Sequence, residues 1–153
     1  MKTQRVKTKT AASIFLCILV LLLLCGCNAK EQNNMEAING KTLTIINEVN
    51  DANIWILPRT QENLKTTLWG TATASDVKTG ESRQAPLCDA GDDGLYIFRM
   101  IDTDKFYYSA DSLVLEDGCT MRIKEKDIMT YELEVSDKNG EIKNTYEVFC
   151  ARL

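Results

Sequence analysis

Alternating apolar and polar residues dominate the chain from residue 41 to its C-terminal end. The first runs are rich in β-branched and aromatic residues and are bounded by Asn, Asp, Gly or Pro, which is the pattern of β-strands and turns. Pro86 interrupts one run and assigns it to a sheet edge, whereas another run is apolar on both faces, as in a central strand. These runs cover residues 42–46, 54–57, 82–87 and 95–101.

The C-terminal part continues as short runs separated by tight turns. Further strands are predicted at residues 106–108, 113–115 and 119–123. The clearest unit is a hairpin whose turn is residues 137–140, with apolar residues at alternate positions on both sides. No helical period is longer than about residues 60–69. The pattern therefore predicts an all-β fold, a small antiparallel β-sandwich of about seven or eight strands over residues 41–153.

Residues 1–30 have a different character from the rest of the chain. Four Lys and Arg residues precede an apolar run of 14 residues, 11–24, and no acidic residue accompanies them. A membrane-spanning helix needs about 20 apolar residues, so the run fits a signal-peptide helix over residues 1–26. An uncleaved transmembrane anchor stays open as an alternative, because Cys25, Gly26 and Cys27 continue the run.

The end of this run carries a more specific motif. Leu24-Cys25-Gly26-Cys27 resembles the lipobox of bacterial lipoproteins. The resemblance implies cleavage between Gly26 and Cys27 and attachment of diacylglycerol, with palmitate-type chains, to the Cys27 thiol. Residues 27–40 would then be the lipidated N-terminus and a flexible polar tether. The expected location is the extracytoplasmic face of a bacterial cell membrane or outer membrane, with the Gram type left open.

A second likeness concerns the domain itself. Residues 43–125 resemble a small β-sandwich domain of bacterial surface and secreted proteins, whereas the final hairpin from residue 129 lies beyond the resemblance. That domain has no settled activity, so the resemblance implies a fold rather than a function. The matching residues are Asn47, Asn53-Ile54-Trp55-Ile56-Leu57-Pro58, Trp69-Gly70, Gly80-Glu81-Ser82, Tyr96, Asp102 and Asp104.

Composition narrows the choice of function. The chain has no His, which removes His-based acid–base chemistry and most catalytic zinc sites. Loss of the four basic residues of the signal segment leaves 14 Lys and Arg against 22 Asp and Glu, a net charge of −8 over 127 residues. Nucleic-acid binding rests on a basic face, so no nucleic-acid partner is expected. We expect no cofactor and no enzymatic activity, because nothing in the spacing selects a pair of catalytic carboxylates.

Three of the six cysteines remain once the signal segment, with Cys17 and Cys25, is removed and Cys27 is lipidated. In an oxidising compartment, Cys88, Cys119 and Cys150 allow one disulfide and one remaining thiol. Alternation directs Cys119 and Cys150 inward, which makes Cys119–Cys150 the favoured disulfide. The alternative is three buried thiols that pack as small apolar residues. The spacing does not predict a metal site.

Two residue groups are candidates for binding. The acidic residues in 89–94, with Asp102 and Asp104, are interpreted as turn residues, with a weak calcium site as the alternative. Four aromatic residues either fill the core or cover a sheet edge, or they form an exposed face for sugar or protein. These are Trp55, Trp69, Tyr107 and Tyr108.

The sequence therefore predicts a lipid-anchored binding or interaction module at the cell surface. Its partners would be the membrane, through the lipid on Cys27, and an unknown protein or carbohydrate ligand. A structural or assembly lipoprotein of an envelope complex is the alternative, and an enzyme is third. A binding module predicts a concave or aromatic exposed patch, whereas an assembly partner predicts a flat apolar patch or a sheet edge that can pair.

Overall fold

A computed structural model describes residues 40–151, so the expectations on residues 1–39, including Gly26 and Cys27, lie outside the described residues. No helix in the described range is long and apolar enough to cross a membrane. The elements are β1 (Thr42–Asn47), β2 (Ala52–Pro58), α1 (Gln61–Lys65), β3 (Ala74–Val77), β4 (Glu81–Pro86), β5 (Tyr96–Asp102), β6 (Tyr107–Leu113), β7 (Cys119–Asp127), β8 (Thr130–Ser136) and β9 (Ile142–Ala151).

The all-β class is confirmed, but the arrangement differs from the predicted antiparallel sandwich. All nine strands lie in one sheet in the order β3-β2-β5-β6-β9-β8-β7-β1-β4. The sheet is mixed, because β1 pairs in parallel with β7 while the other pairs are antiparallel.

The two ends of the sheet approach each other. β3 and β4 occupy opposite ends of the strand order, yet only residues 78–80 separate them in sequence. The sheet must therefore curl until its two edges meet. The guanidinium of Arg83 on β4 donates a hydrogen bond to the backbone oxygen of Ser75 on β3. The result is a wall that is nearly closed, like a barrel, around one core.

The core follows from the alternation of the strands. β1 and β8 bury every second residue, and β5 is buried on both faces, as its apolar sequence predicts. Pro86 lies at the end of the edge strand β4, which confirms its predicted position. The largest fully buried side chains are Phe98, Leu43, Ile45, Ile54, Ile97, Met100, Leu113, Met121, Ile123, Leu133, Val77 and Val148.

The predicted hairpin between β8 and β9 is confirmed. The Asp137 carboxylate accepts hydrogen bonds from the backbone N–H groups of Asn139 and Glu141. Gly140 closes the turn with a φ of +84°, a backbone conformation that costs glycine little. These contacts also hold the pKa of Asp137 below its usual value, with the bond from the Glu141 N–H as the largest cause.

A buried polar group lies within the core where β5 ends. Asp102 is only 2% exposed and accepts hydrogen bonds from the Phe106 N–H at 2.9 Å and the Asn50 amide at 3.4 Å. The Tyr108 hydroxyl lies 3.3 Å from Asp102 Oδ2 and 3.2 Å from the hydroxyl of Tyr131. Burial is the main cause that raises the pKa values of both Tyr108 and Tyr131. Both tyrosines therefore stay neutral at ordinary pH.

Candidate functional site

Three of the four candidate aromatic residues come together on the outer face of the sheet. The ring of Trp69 stacks on Tyr107 of β6, with centroids 5.3 Å apart and planes 14° apart. The same ring meets the edge of Trp55 of β2, also at 5.3 Å. All three residues are partly exposed. They form the aromatic cluster, which is defined here as Trp55, Trp69 and Tyr107.

Backbone contacts fix the aromatic cluster in place. The indole N–H of Trp55 donates to the Gly70 carbonyl at 3.1 Å, and that of Trp69 donates to the Thr66 carbonyl at 2.9 Å. Because β5 lies between β2 and β6, a ring that contacts both Trp55 and Tyr107 must stand over β5. The segment from α1 to β3 therefore crosses the outer face of the sheet there. Both indole N–H groups are used internally, so a ligand at the aromatic cluster would contact ring surface and not the indole donors.

Tyr108 does not join this face, so the hypothesis of a four-residue aromatic surface is wrong in that residue. Successive residues of a strand point to opposite faces, and Tyr108 therefore points inward when Tyr107 points outward. In the core its ring stacks on Tyr131, with centroids 4.3 Å apart. Of the four candidate aromatic residues, only Tyr108 fills the core.

An opening in the sheet wall lies beside the aromatic cluster. The first three residues of β6 pair with the last three residues of β9. The pair next to the opening is Ser109 with Phe149. From there, the rest of β6 has no strand partner other than β5, and the rest of β9 has none other than β8. The space between the strands is a cleft of about 440 Å³. This β6–β9 cleft is lined by Ser109, Ala110, Asp111, Ser112, Thr145, Tyr146, Glu147 and Phe149.

The backbone of β9 presents hydrogen-bonding groups to the β6–β9 cleft. The Cys150 N–H donates to the Met129 carbonyl, on the side of β8. Because N–H directions alternate along an antiparallel strand, Val148 and Tyr146 also bond towards β8, whereas Glu147 and Thr145 point towards β6. Within the range that the structure describes, Glu147 and Thr145 have no strand partner on that side.

The rim of the cleft is acidic and aromatic. Phe149 is 61% exposed although it lies within a strand. Asp111 on β6 accepts a hydrogen bond at 2.5 Å from Arg99, whose side chain is buried on the outer side of β5. Glu147 on the opposite rim is bonded to Lys126. Inside the cleft, the Tyr146 hydroxyl accepts a hydrogen bond from the Val114 N–H at 2.8 Å and so links the diverging strands.

Sequence reasoning missed the cleft, although one of its residues gave a usable signal. Phe149 lies between Val148 and Cys150, whose side chains point inward, so the Phe149 side chain must point outward. A large aromatic side chain on the outer face is expected to be exposed. Ser109, Asp111 and Glu147 gave no comparable signal, because polar residues at outward positions are ordinary.

The favoured disulfide Cys119–Cys150 does not form in this fold, and the described residues contain no disulfide. Thr120 pairs with Ser136, at one end of β8, whereas Phe149 pairs with Thr130, at the other end. Eight residues along a strand correspond to about 25 Å, and a disulfide needs Cα atoms within about 7 Å. Burial raises the pKa values of the Cys88 and Cys119 thiols, which keeps both protonated.

The acidic residues of 89–94 and their neighbours separate into different roles. Asp93 forms an ion pair with Arg59, whose hydrogen bond holds the pKa of Asp93 below its usual value. Asp89 pairs with Lys41, Asp102 is turned into the core, and Asp104 is exposed. The structure therefore does not gather these carboxylates, and it describes no cluster of three or more metal-ligating side chains in residues 40–151.

Comparison with protein-family models, with curated proteins and with solved structures found no match to this chain.

Proposed function

We propose that the protein is a lipid-anchored binding module on the extracytoplasmic face of a bacterial membrane, and that it holds its ligand at the β6–β9 cleft. The anchor rests on the likeness of Leu24-Cys25-Gly26-Cys27 to a lipobox. Two or more acyl chains hold a protein firmly at a membrane, whereas one chain holds it only marginally. The domain would thus be tethered with its outer surface available to molecules outside the membrane.

The observation that carries the proposal is the cleft itself. A sheet that curls into a nearly closed wall would bury or pair its strand edges, but here two strands diverge next to an exposed Phe149. The cleft is an open groove of about 440 Å³, a shape that suits a segment lying along the surface better than an enclosed small molecule. The aromatic cluster continues the same face, because Tyr107 precedes Ser109 by two residues on β6.

The unpaired strand edges also favour the second candidate, an assembly lipoprotein whose cleft is permanently filled by an envelope partner. The two candidates differ in how long the partner stays. A binding module releases its ligand when the protein is extracted in mild detergent and diluted, whereas an assembly protein is recovered in a constant ratio with its partner.

Photo-crosslinking in the native envelope tests the proposal. A photoreactive side chain would replace Ser112, in the cleft, in the lipidated full-length protein. Illumination is expected to give one discrete adduct. The matched control replaces Ser82, an exposed serine on β4, and should give none. Equal adducts at both positions, or none at Ser112, would overturn the cleft as the binding site.

A further inference from the structure

We infer that the ligand of the β6–β9 cleft is a basic polypeptide segment in extended conformation, which pairs with the open edge of β9 as an added strand. This inference rests on the proposed function and names its ligand class. It follows from three features of the cleft: its backbone groups, its charge and its exposed aromatic residue.

The backbone of β9 favours a polypeptide over other ligands. Before Phe149, no residue of β9 pairs with β6, and Thr145, Tyr146 and Glu147 of this stretch line the cleft. The backbone groups of Glu147 and Thr145 on this edge are spaced two residues apart, or about 6.6 Å. An extended peptide repeats its donors and acceptors at the same interval. Such a peptide can therefore bond to both residues at once, as in strand addition to a sheet edge.

The charge of the rim favours basic side chains on that peptide. Glu147 lies directly opposite Glu132 in the pairing of β8 with β9, an arrangement of like charges that is unfavourable by itself. Lys126 bonds to Glu147, and Arg99 bonds to Asp111 from its buried position. Glu132 lies opposite Lys124 on its other side, so the carboxylates of the rim itself are Asp111 and Glu147, whose side chains stay 55% and 49% exposed. The lining of the cleft holds these two carboxylates and no Lys or Arg, so a basic side chain on the incoming strand can form a further ion pair there.

Phe149 supplies the apolar contact. Its side chain is exposed on the outer face, at the position where β6 and β9 begin to diverge. Side chains of an added strand alternate between the two faces of the sheet. One set can therefore lie against Phe149 and the rim carboxylates, while the other set points into the cleft towards Tyr146. A peptide that alternates basic and apolar residues fits this surface.

Peptide binding to the full-length lipidated protein in micelles of an uncharged detergent tests the inference. The probe is a fluorescent octapeptide of alternating Lys and Val, and its binding is followed by fluorescence anisotropy. The first control is the same peptide with alternate backbone nitrogens methylated, which keeps the charge but removes donors from one edge. The second control alternates Glu and Val. Each control peptide is expected to bind at least about tenfold more weakly than the probe.

Variants of the protein locate the binding. Glu147→Gln and Phe149→Ala are each expected to weaken binding of the Lys–Val peptide by about threefold or more. Glu141→Gln and Leu68→Ala, which change an acidic and an apolar residue that are exposed outside the cleft, should leave binding unchanged.

Two outcomes would overturn the inference. Equal binding of the methylated peptide would mean adsorption by charge instead of strand pairing, and no binding of the Lys–Val peptide would exclude a basic extended ligand. A discrete adduct at Ser112 in either case would leave the proposed function standing with a ligand of another class. Absence of the Ser112 adduct in addition would overturn both the inference and the proposed function.

Discussion

Replacement of Asp102 by alanine is expected to lower the free energy of unfolding by about 3 kcal/mol, because it leaves buried donors without their acceptor. The Phe106 N–H and the Tyr108 hydroxyl both bond to this carboxylate. Asp102 and Tyr108 are almost completely buried, so water does not readily replace the lost carboxylate. The Phe106 N–H loses its side-chain acceptor and the Tyr108 hydroxyl keeps only Tyr131 as a partner, at a cost of about 1–3 kcal/mol for each lost bond.

Chemical denaturation measures this loss, with tryptophan fluorescence as the signal. The matched control is Asp104→Ala, which removes an exposed carboxylate two residues further along the same connection. The control should change the free energy of unfolding by no more than about 0.5 kcal/mol. If Asp102→Ala cost as little as Asp104→Ala, the polar group around Asp102 would not stabilise the core as described.

The second large effect is expected at the membrane. Replacement of Cys27 by serine should release the protein from the membrane fraction, because a serine hydroxyl cannot take the place of the thiol that is lipidated. Each buried methylene of the lost lipid contributes about 0.8 kcal/mol to membrane attachment. For a protein held by two or three acyl chains, the loss of membrane attachment should therefore be nearly complete.

Cell fractionation and intact mass together measure this effect. The native protein should begin at Cys27 and carry the mass of a diacylglycerol. Cys25→Ser is the matched control, since Cys25 lies in the variable position of the motif and its loss should leave both results unchanged. A native protein of full length that lacks the mass of a diacylglycerol would instead identify the N-terminal apolar run as an uncleaved anchor.

Local patterns predicted the fold class and several of its elements. The edge position of β4 followed from Pro86, and the β8–β9 turn followed from the residues at 137–140. The closure of the sheet could not be predicted, because alternation shows which face of a strand is buried but not which strand lies beside it. β3 escaped prediction for a local reason. Its four residues, Ala74–Val77, bury only the two at its ends and show no alternation.

The candidate site was predicted in part. Trp55, Trp69 and Tyr107 do share a face, and the alternation rule by itself could have separated Tyr107 from Tyr108. The cleft depends on where β6 stops pairing with β9. The β5–β6 pairing shifts register between Tyr96 and Phe98, at the place where β6 separates from β9. No single residue of the sequence predicts this shift.

Amide hydrogen exchange of the unliganded protein tests most directly whether the wall is open between β6 and β9. The Tyr146 and Val148 amides face β8, whereas those of Thr145 and Glu147 face the cleft. We predict that the Thr145 and Glu147 amides exchange at least about tenfold faster than their two neighbours. Similar protection of all four amides would mean that β9 is paired on both sides, and would contradict the binding site proposed for this protein.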